Sequence, residues 1–146
     1  MIRLVGPEET EAFGRSFAPL LRPGEVIALF GDLGVGKTTF ARGLLRGLGF
    51  QGEVASPTFP IVQPYEELAL PVWHVDLYRI EAPEEIEELA LEEVLDDGAL
   101  LLEWPERMGA ALWPHALRLT LDRDGEGARR LTAQVPPAWE KRWPPR

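Results

Sequence analysis

The chain contains neither cysteine nor asparagine among its 146 residues. Without cysteine it can form no disulfide bond and no thiolate metal site. Its longest apolar runs, such as residues 26–30, have the length of a strand and are far too short to cross a membrane. The first residues lack the apolar segment of a signal peptide. We therefore expect a cytoplasmic protein that does not associate with membranes.

The missing asparagine and the scarce serine also narrow the possible activities. A GTPase needs the guanine-reading sequence N-K-x-D, which cannot occur in a chain without asparagine. Neither Ser16 nor Ser56 lies in the G-x-S-x-G turn of the α/β-hydrolases. The histidines, His74 and His115, form no transition-metal pattern with the acidic residues. His74 is most simply explained as a structural hydrogen-bonding residue.

Positive charge is outnumbered as well, since 24 aspartate and glutamate residues against 15 lysine and arginine residues give a net charge of −9. A surface that is acidic on average repels the phosphate backbone of nucleic acids. The composition therefore argues against a protein that binds nucleic acid without a partner protein.

A glycine-rich segment is the most informative feature that is present. Residues 31–38 match the phosphate-loop pattern G-x-x-x-x-G-K-[ST], with an apolar segment before them and a helical pattern after them. Glycines let successive backbone N–H groups point at phosphate oxygens, and the following helix presents its positive end to the same anion. We expect Lys37 to reach the β- and γ-phosphates and the Thr38 hydroxyl to bind Mg²⁺.

The order of the elements predicts the fold. We expect helices over residues 8–21, 37–48 and 84–95, strands over 25–30, 72–77 and 99–102, and a hairpin formed by 116–121 and 130–135. This alternation predicts an α/β fold like that of P-loop NTPases, with a largely parallel central sheet flanked by helices and antiparallel C-terminal edge strands. Residues 1–135 would form one P-loop ATPase domain. Residues 136–146 would form a basic tail, rich in proline and tryptophan, that packs loosely.

Two acidic residues stand at the ends of predicted strands, where a phosphate-loop enzyme needs a carboxylate for Mg²⁺. Asp76 is the last residue but one of the strand predicted over 72–77, and Glu103 follows the apolar strand at 99–102. Parallel strands end at the edge that carries the phosphate loop. We therefore expect at least one of the two acids to serve the metal.

Four sequence blocks together resemble the TsaE family, formerly called YjeE. They are residues 31–40, the S-P-T-F sequence at 56–59, the H-V-D-L-Y-R sequence at 74–79 and the E-W-P sequence at 103–105. The resemblance runs from about Thr10 to residues 129–130. Family members are small bacterial P-loop ATPases required for the threonylcarbamoyladenosine modification of tRNA, and they work with the TsaB–TsaD pair.

The resemblance implies a role for individual residues. Thr38 and Glu103 would bind Mg²⁺, and Asp76 would be the Walker-B-like acid. Thr58 would belong to a switch-like segment near the γ-phosphate, and Trp104 would shape the site or a partner surface. Lys37, Asp76 and Thr58 are thus the expected catalytic residues. The residues expected to bind ATP or ADP are Thr10, Gly31, Asp32, Leu33, Gly34, Val35, Gly36, Lys37, Thr38 and Thr39. Either Arg129 or Arg130 would approach the nucleotide.

Slow hydrolysis of ATP that depends on TsaB–TsaD is the function implied by the resemblance, with tRNA reached only through those partners. A small-molecule kinase is one alternative, although its lid would have to be the acidic segment 81–93, which suits phosphates poorly. A nucleotide-dependent assembly module that never hydrolyses ATP is the other. It needs the same binding residues as a slow ATPase.

Overall fold

A seven-stranded sheet forms the centre of the computed structural model, which describes residues 1–32, 34–54 and 61–145. The strands are β1 (Ile2–Val5), β2 (Val26–Phe30), β3 (Val62–Tyr65), β4 (Val72–Asp76), β5 (Ala99–Glu103), β6 (Leu117–Arg123) and β7 (Ala128–Gln134). Their order is β1-β7-β6-β2-β5-β4-β3. The four central strands β6, β2, β5 and β4 are parallel, and the outer strands pair antiparallel. The predicted fold class is confirmed.

Helices cover the sheet on both faces. The helices are α1 (Gly6–Arg15), α2 (Lys37–Gly47), α3 (Pro83–Glu88) and α4 (Leu91–Val94), and a 3₁₀ segment spans Pro105–Ala111. On one face, Phe17 and Phe40 pack with the β2 residue Ile27. On the other, Leu91 and Met108 pack with Ala28. Alternate side chains of β2 thus enter two separate cores, which explains why this strand is apolar throughout.

The edges of the sheet differ from the prediction. β7 was expected at an edge, but β1 covers it through the register pair Leu4↔Arg129. β1 has four residues, of which only Leu4 is buried, and so short a pattern gives little signal in the sequence. At the opposite edge, β3 contains Pro64 and is not among the strands predicted from the sequence. An edge strand tolerates proline because one side of it needs no hydrogen-bond donors.

The first predicted helix is shorter than expected. α1 ends at Arg15 instead of residue 21, and residues 16–20 continue as tight turns. Pro19 provides no amide hydrogen and disfavours a helical conformation at Ala18, so a regular helix cannot continue. The buried side chains of Phe17 and Leu21 nevertheless remain in the core.

The acidic segment predicted as one helix over residues 84–95 forms α3 and α4 instead, with Ala90 between them at a φ of 51°. Glutamates three and four residues apart repel one another on a helix, and this segment has no basic residue to offset them. At its start, Glu85 Oε2 accepts hydrogen bonds from the backbone N–H groups of Glu81 and Ala82 at 2.7 and 2.8 Å. These bonds lower the pKa of Glu85.

The expected loose packing of the C-terminal tail is wrong for its described residues, 136–145. Trp139 is 1% exposed, and its ring lies 5.7 Å from that of Phe17. Arg142 donates to both carboxylate oxygens of Glu25, at 2.9 and 2.5 Å, and to the carbonyl of Leu20 at 2.7 Å. The tail therefore completes the core beside α1. Arg146 lies outside the described residues.

Candidate nucleotide site

The loop between β2 and α2 turns through glycines. Gly31 and Gly36 have φ angles of 143° and 110°, which other residues rarely adopt. A Cβ atom on Gly31 would lie 2.6 Å from the carbonyl oxygen of Leu121, so only glycine fits there. α2 begins at once with Lys37. The unpaired amides of its first turn therefore lie at the loop, where they favour an anion.

Lys37 is held within this loop although it carries the site's ammonium group. Its side chain is 5% exposed, and Nζ donates a hydrogen bond to the carbonyl oxygen of Gly31 at 2.6 Å. Nζ also lies 3.9 Å from the centre of the Trp104 ring, within range of a cation–π interaction. Burial lowers the pKa of Lys37, and the nearby Glu103, Glu106, Asp76 and Asp32 partly offset this.

The two predicted carboxylates face each other across neighbouring strands. Asp76 and Glu103 are register partners at the ends of β4 and β5, and Glu103 is also paired with Leu29 at the end of β2. Both acids are buried, at 7% and 3% exposed. Asp76 Oδ1 accepts a hydrogen bond from the N–H of Tyr78 at 2.9 Å. Parallel strands thus bring both carboxylates to the edge of the sheet that holds the loop.

A cavity of about 360 Å³ joins these groups. It is lined by Gly34, Gly36, Lys37, Thr38, Thr39, Asp76, Tyr78, Arg79, Glu103 and Trp104. Its described lining includes the ammonium group of Lys37, two threonines beside it and two carboxylates, which is a set of groups suited to a phosphate with a hard cation. Its volume falls in the range usual for small-ligand sites, about 300–1,000 Å³.

A second cavity, of about 210 Å³, lies on the other side of the same loop. Thr10 and Arg129 line it together with Gly34 and Gly36, which the two cavities share. Arg129 donates from Nε to the carbonyl oxygen of Val35 at 2.9 Å and from a terminal nitrogen to that of Gly34 at 3.5 Å. Arg130 is exposed and lines neither cavity. Of the two arginines, Arg129 is thus the one at the loop.

Comparison with known proteins identifies the family. The sequence model described as "Threonylcarbamoyl adenosine biosynthesis protein TsaE" matches residues 4–131. The chain belongs to the TsaE family.

Curated TsaE proteins match over most of this chain. The tRNA threonylcarbamoyladenosine biosynthesis protein TsaE of Bacillus subtilis is 41% identical over 131 residues, which cover 89% of this chain and 82% of that protein. The TsaE protein of Streptomyces coelicolor is 44% identical over 113 residues, covering 75% and 76%. The crystal structure of Bacillus subtilis YdiB superposes with a TM-score of 0.77 at 34% identity, covering 96% of this chain and 88% of that one.

The structure brings together most of the residues that the resemblance to TsaE assigned to the site. Thr10, Gly34, Gly36, Thr38 and Thr39 line the two cavities, as do Lys37, Asp76 and Glu103. Val35 is 2% exposed with its side chain in the core, so it can offer a ligand only its backbone. Asp32 is exposed beside the loop. Leu33 and Thr58 lie outside the described residues, and their roles stay predictions.

The donor set fits Mg²⁺ better than a transition metal. Thr38 and Glu103 offer a hydroxyl and a carboxylate, the oxygen ligands that Mg²⁺ prefers. Among the described residues, no group of three or more histidine, aspartate or glutamate side chains could hold a metal ion. A cation here would need further oxygens from phosphate and water, which is the usual arrangement for Mg²⁺ with a nucleotide.

Two lining residues, Tyr78 and Arg79, received no role of their own in the sequence analysis. Tyr78 and Arg79 follow Asp76 directly, and their place after a strand-end acid was the available signal. The rings of Tyr78 and Trp104 lie 4.9 Å apart at the rim of the cavity. The hydrogen-bond partner of His74 could not be predicted from the sequence. His74 bonds Glu103 rather than its neighbour Asp76, at 2.6 Å from Nε2 to Oε2.

In the part of the chain described, no helix has the length and apolar character to span a membrane.

Proposed function

We propose that the protein binds ATP with Mg²⁺ and hydrolyses it slowly, acting with TsaB and TsaD in the formation of threonylcarbamoyladenosine on tRNA. One observation carries the proposal: Lys37, Thr38, Asp76 and Glu103 line a single cavity at the carboxyl ends of the parallel strands. The curated names of the relatives, which place them in tRNA threonylcarbamoyladenosine biosynthesis, support the second half.

The loop and Lys37 would bind the phosphates. The backbone N–H groups of Gly34, of Gly36 and of the first turn of α2 would stabilise the negative charge. The ammonium group of Lys37 has three donors and uses one on Gly31, so others are left for phosphate oxygens. In a largely buried site these bonds act at a low local dielectric, and each is stronger than in water.

Hydrolysis would proceed by in-line attack of water on the γ-phosphate, with ADP leaving. When bound by Thr38 and Glu103, Mg²⁺ would neutralise charge on the β- and γ-phosphate oxygens. Asp76, whose carboxylate is fixed by the N–H of Tyr78, would hold water at the metal or near the phosphate. Thr58 is proposed beside the γ-phosphate. Among the described residues that line the cavity, the cationic side chains are Lys37 and the exposed Arg79, which fits slow turnover without partners.

The charge of the chain supports an indirect route to tRNA. The net charge is −9, and nine acidic residues with no basic residue lie between positions 81 and 97. Such a surface repels a polyanion, whereas partner proteins could hold the tRNA. The cytoplasmic location and the absence of membrane association stay predictions.

Phosphate release from ATP, measured for the protein alone and with TsaB–TsaD, tests this proposal. We expect a low rate alone, a higher rate with the partners, and loss of activity in Asp76→Ala and Glu103→Ala. Lys37→Ala should weaken nucleotide binding by about 10- to 100-fold, since bonds to a charged donor contribute roughly 1.5–3 kcal/mol.

Asp97→Ala is the matched control, because Asp97 is an exposed carboxylate outside both cavities. It should behave like the parent protein. Tight ATP binding without phosphate release in the presence of TsaB–TsaD would overturn hydrolysis and favour the assembly module. Transfer of phosphate to a small molecule would favour the kinase.

A further inference from the structure

A buried pair of side chains lies directly behind the proposed metal ligand. His74 and Glu103 are 0% and 3% exposed, and His74 Nε2 lies 2.6 Å from Glu103 Oε2. His74 is the register partner of Leu101, two residues before Glu103 on the parallel strand β5. Its side chain therefore reaches Glu103 diagonally along one face of the sheet, at a distance that long side chains span.

The direction of this hydrogen bond follows from the groups involved. A carboxylate can only accept, so Nε2 of His74 carries the hydrogen. The other ring nitrogen, Nδ1, is buried and has no hydrogen-bond partner among the described residues. Glu103 is thus the partner that fixes the orientation of the ring.

A glutamate without such a partner would hold a cation less well. The terminal torsion of glutamate is broad and roughly two-fold, so an unrestrained carboxylate samples many orientations. The bond from His74 fixes Oε2 and leaves Oε1 for another ligand. Removal of a residue that orients a metal ligand typically reduces metal affinity by about 10- to 100-fold.

We propose that His74 is a positioning residue that holds the carboxylate of Glu103 in the orientation needed to bind Mg²⁺. This inference rests on the proposed function, because it takes Glu103 as a metal ligand. It adds a residue that acts through Glu103 and touches neither the nucleotide nor the cation. The segment 74–79 would then supply two separate functions from one strand, orientation by His74 and the acid Asp76.

Glutamine and asparagine substitutions separate positioning from packing. The side-chain nitrogen of glutamine can take the place of Nε2, whereas that of asparagine matches Nδ1 and stops short of Glu103. The readout is ADP binding, measured in EDTA and then at increasing Mg²⁺. We expect His74→Asn to need about 10-fold more Mg²⁺ for half of the effect, with unchanged affinity in EDTA. His74→Gln should stay within about 3-fold of the parent protein.

Equal shifts in the two variants would overturn the inference, as would an unchanged Mg²⁺ requirement in a folded His74→Asn protein. Glu103→Gln separates this result from failure of the proposed function. If ADP binding by the parent does not respond to Mg²⁺, or Glu103→Gln keeps the response, the proposed metal site is wrong. If only the His74 variants behave like the parent, Glu103 binds Mg²⁺ without this support.

A measurement on the unaltered chain covers the case in which the variants do not fold. The chain has two histidines, so nitrogen NMR of the rings needs only His115→Gln for assignment. We expect hydrogen on Nε2 of His74 before and after addition of Mg²⁺ and ADP. Hydrogen on Nδ1 alone would overturn the inference, because His74 could not then donate to Glu103.

Discussion

Arg129 supports the glycine-rich loop from outside. Its guanidinium group bonds the carbonyl oxygens of Val35 and Gly34 and also its own neighbour's carbonyl, that of Ala128, at 2.9 Å. By holding the carbonyl oxygen of Val35, Arg129 fixes the peptide that carries the N–H of Gly36. Arg129, one of the two arginines considered for an approach to the nucleotide, therefore supports the shape of the loop.

Substitution of the two adjacent arginines tests this at the scale of one residue. Arg129→Ala should weaken ADP binding about 10-fold, because the loss of two bonds from a charged donor, discounted for partial exposure, costs about 1.4 kcal/mol. Arg130→Ala removes the same charge from an exposed position and should leave ADP binding unchanged. Isothermal titration calorimetry of both variants measures the difference. Equal losses would mean that net charge decides binding and that the contacts to the loop do not.

Individual residues show which parts of the site could be predicted from the sequence. The sequence predicted Lys37, Thr38, Asp76 and Glu103, because a phosphate-loop pattern and acidic residues at strand ends can be recognised from the sequence alone. The partner of His74 was not, since it depends on β4 and β5 being neighbours in register. Arg129 and Arg130 could not be separated either. Which of them faces the loop is decided by the register of β7 against β1.

The two helices on one face of the sheet pack through glycines. A Cβ atom on Gly43 of α2 would lie 1.9 Å from the carbonyl oxygen of Glu11, and one on Gly14 of α1 would lie 2.1 Å from that of Phe40. At each glycine, the backbone of the other helix therefore occupies the space that a side chain would fill. This close approach sets the position of Thr10, which lines the second cavity from α1.

Alanine at these glycines tests the packing at the scale of elements. Glycine to alanine within a helix normally stabilises by about 0.5–1 kcal/mol, because the unfolded chain loses freedom. At Gly43 the clash with backbone should reverse the sign and cost about 1–3 kcal/mol of unfolding free energy, measured in urea. Gly47→Ala should cost less, since the nearest atom is the Ala18 side chain at 2.7 Å. A stabilised Gly43→Ala protein would contradict this packing.

Elements with a strong periodic pattern were predicted to within a few residues, and weakly patterned ones were missed. α2, β2, β4 and β5 have long apolar faces. β1 has a single buried residue and β3 contains a proline, so neither stands out before its neighbours in the sheet are known. The division of the acidic helix at Ala90 depends on the sum of many repulsions between glutamates, which a pattern of apolar residues does not record.

At the scale of the whole molecule, the C-terminal segment closes the face that carries α1. The rings of Trp139 and Trp143 lie 5.7 and 6.2 Å from that of Phe17. Arg142 lies over Trp139, 3.9 Å from the ring centre, and pairs with Glu25 immediately before β2. Tryptophan and arginine among prolines resemble an exposed tail in a sequence, because burial here depends on residues more than 100 positions away.

The tail should therefore stabilise the fold without contributing to the nucleotide site, whose two cavities no residue of 136–145 lines. Trp139→Ala should lower the unfolding free energy by about 3–5 kcal/mol, as expected for a buried aromatic side chain. Arg142→Ala, which removes the ion pair of Glu25, should cost about 2 kcal/mol. Glu140→Ala changes an exposed neighbour and should have no effect.

Urea unfolding and ADP titration of the same samples separate stability from binding. A Trp139→Ala protein as stable as its parent would mean that this packing contributes nothing. One that remains folded but loses ADP binding would instead place the tail in the function of the site.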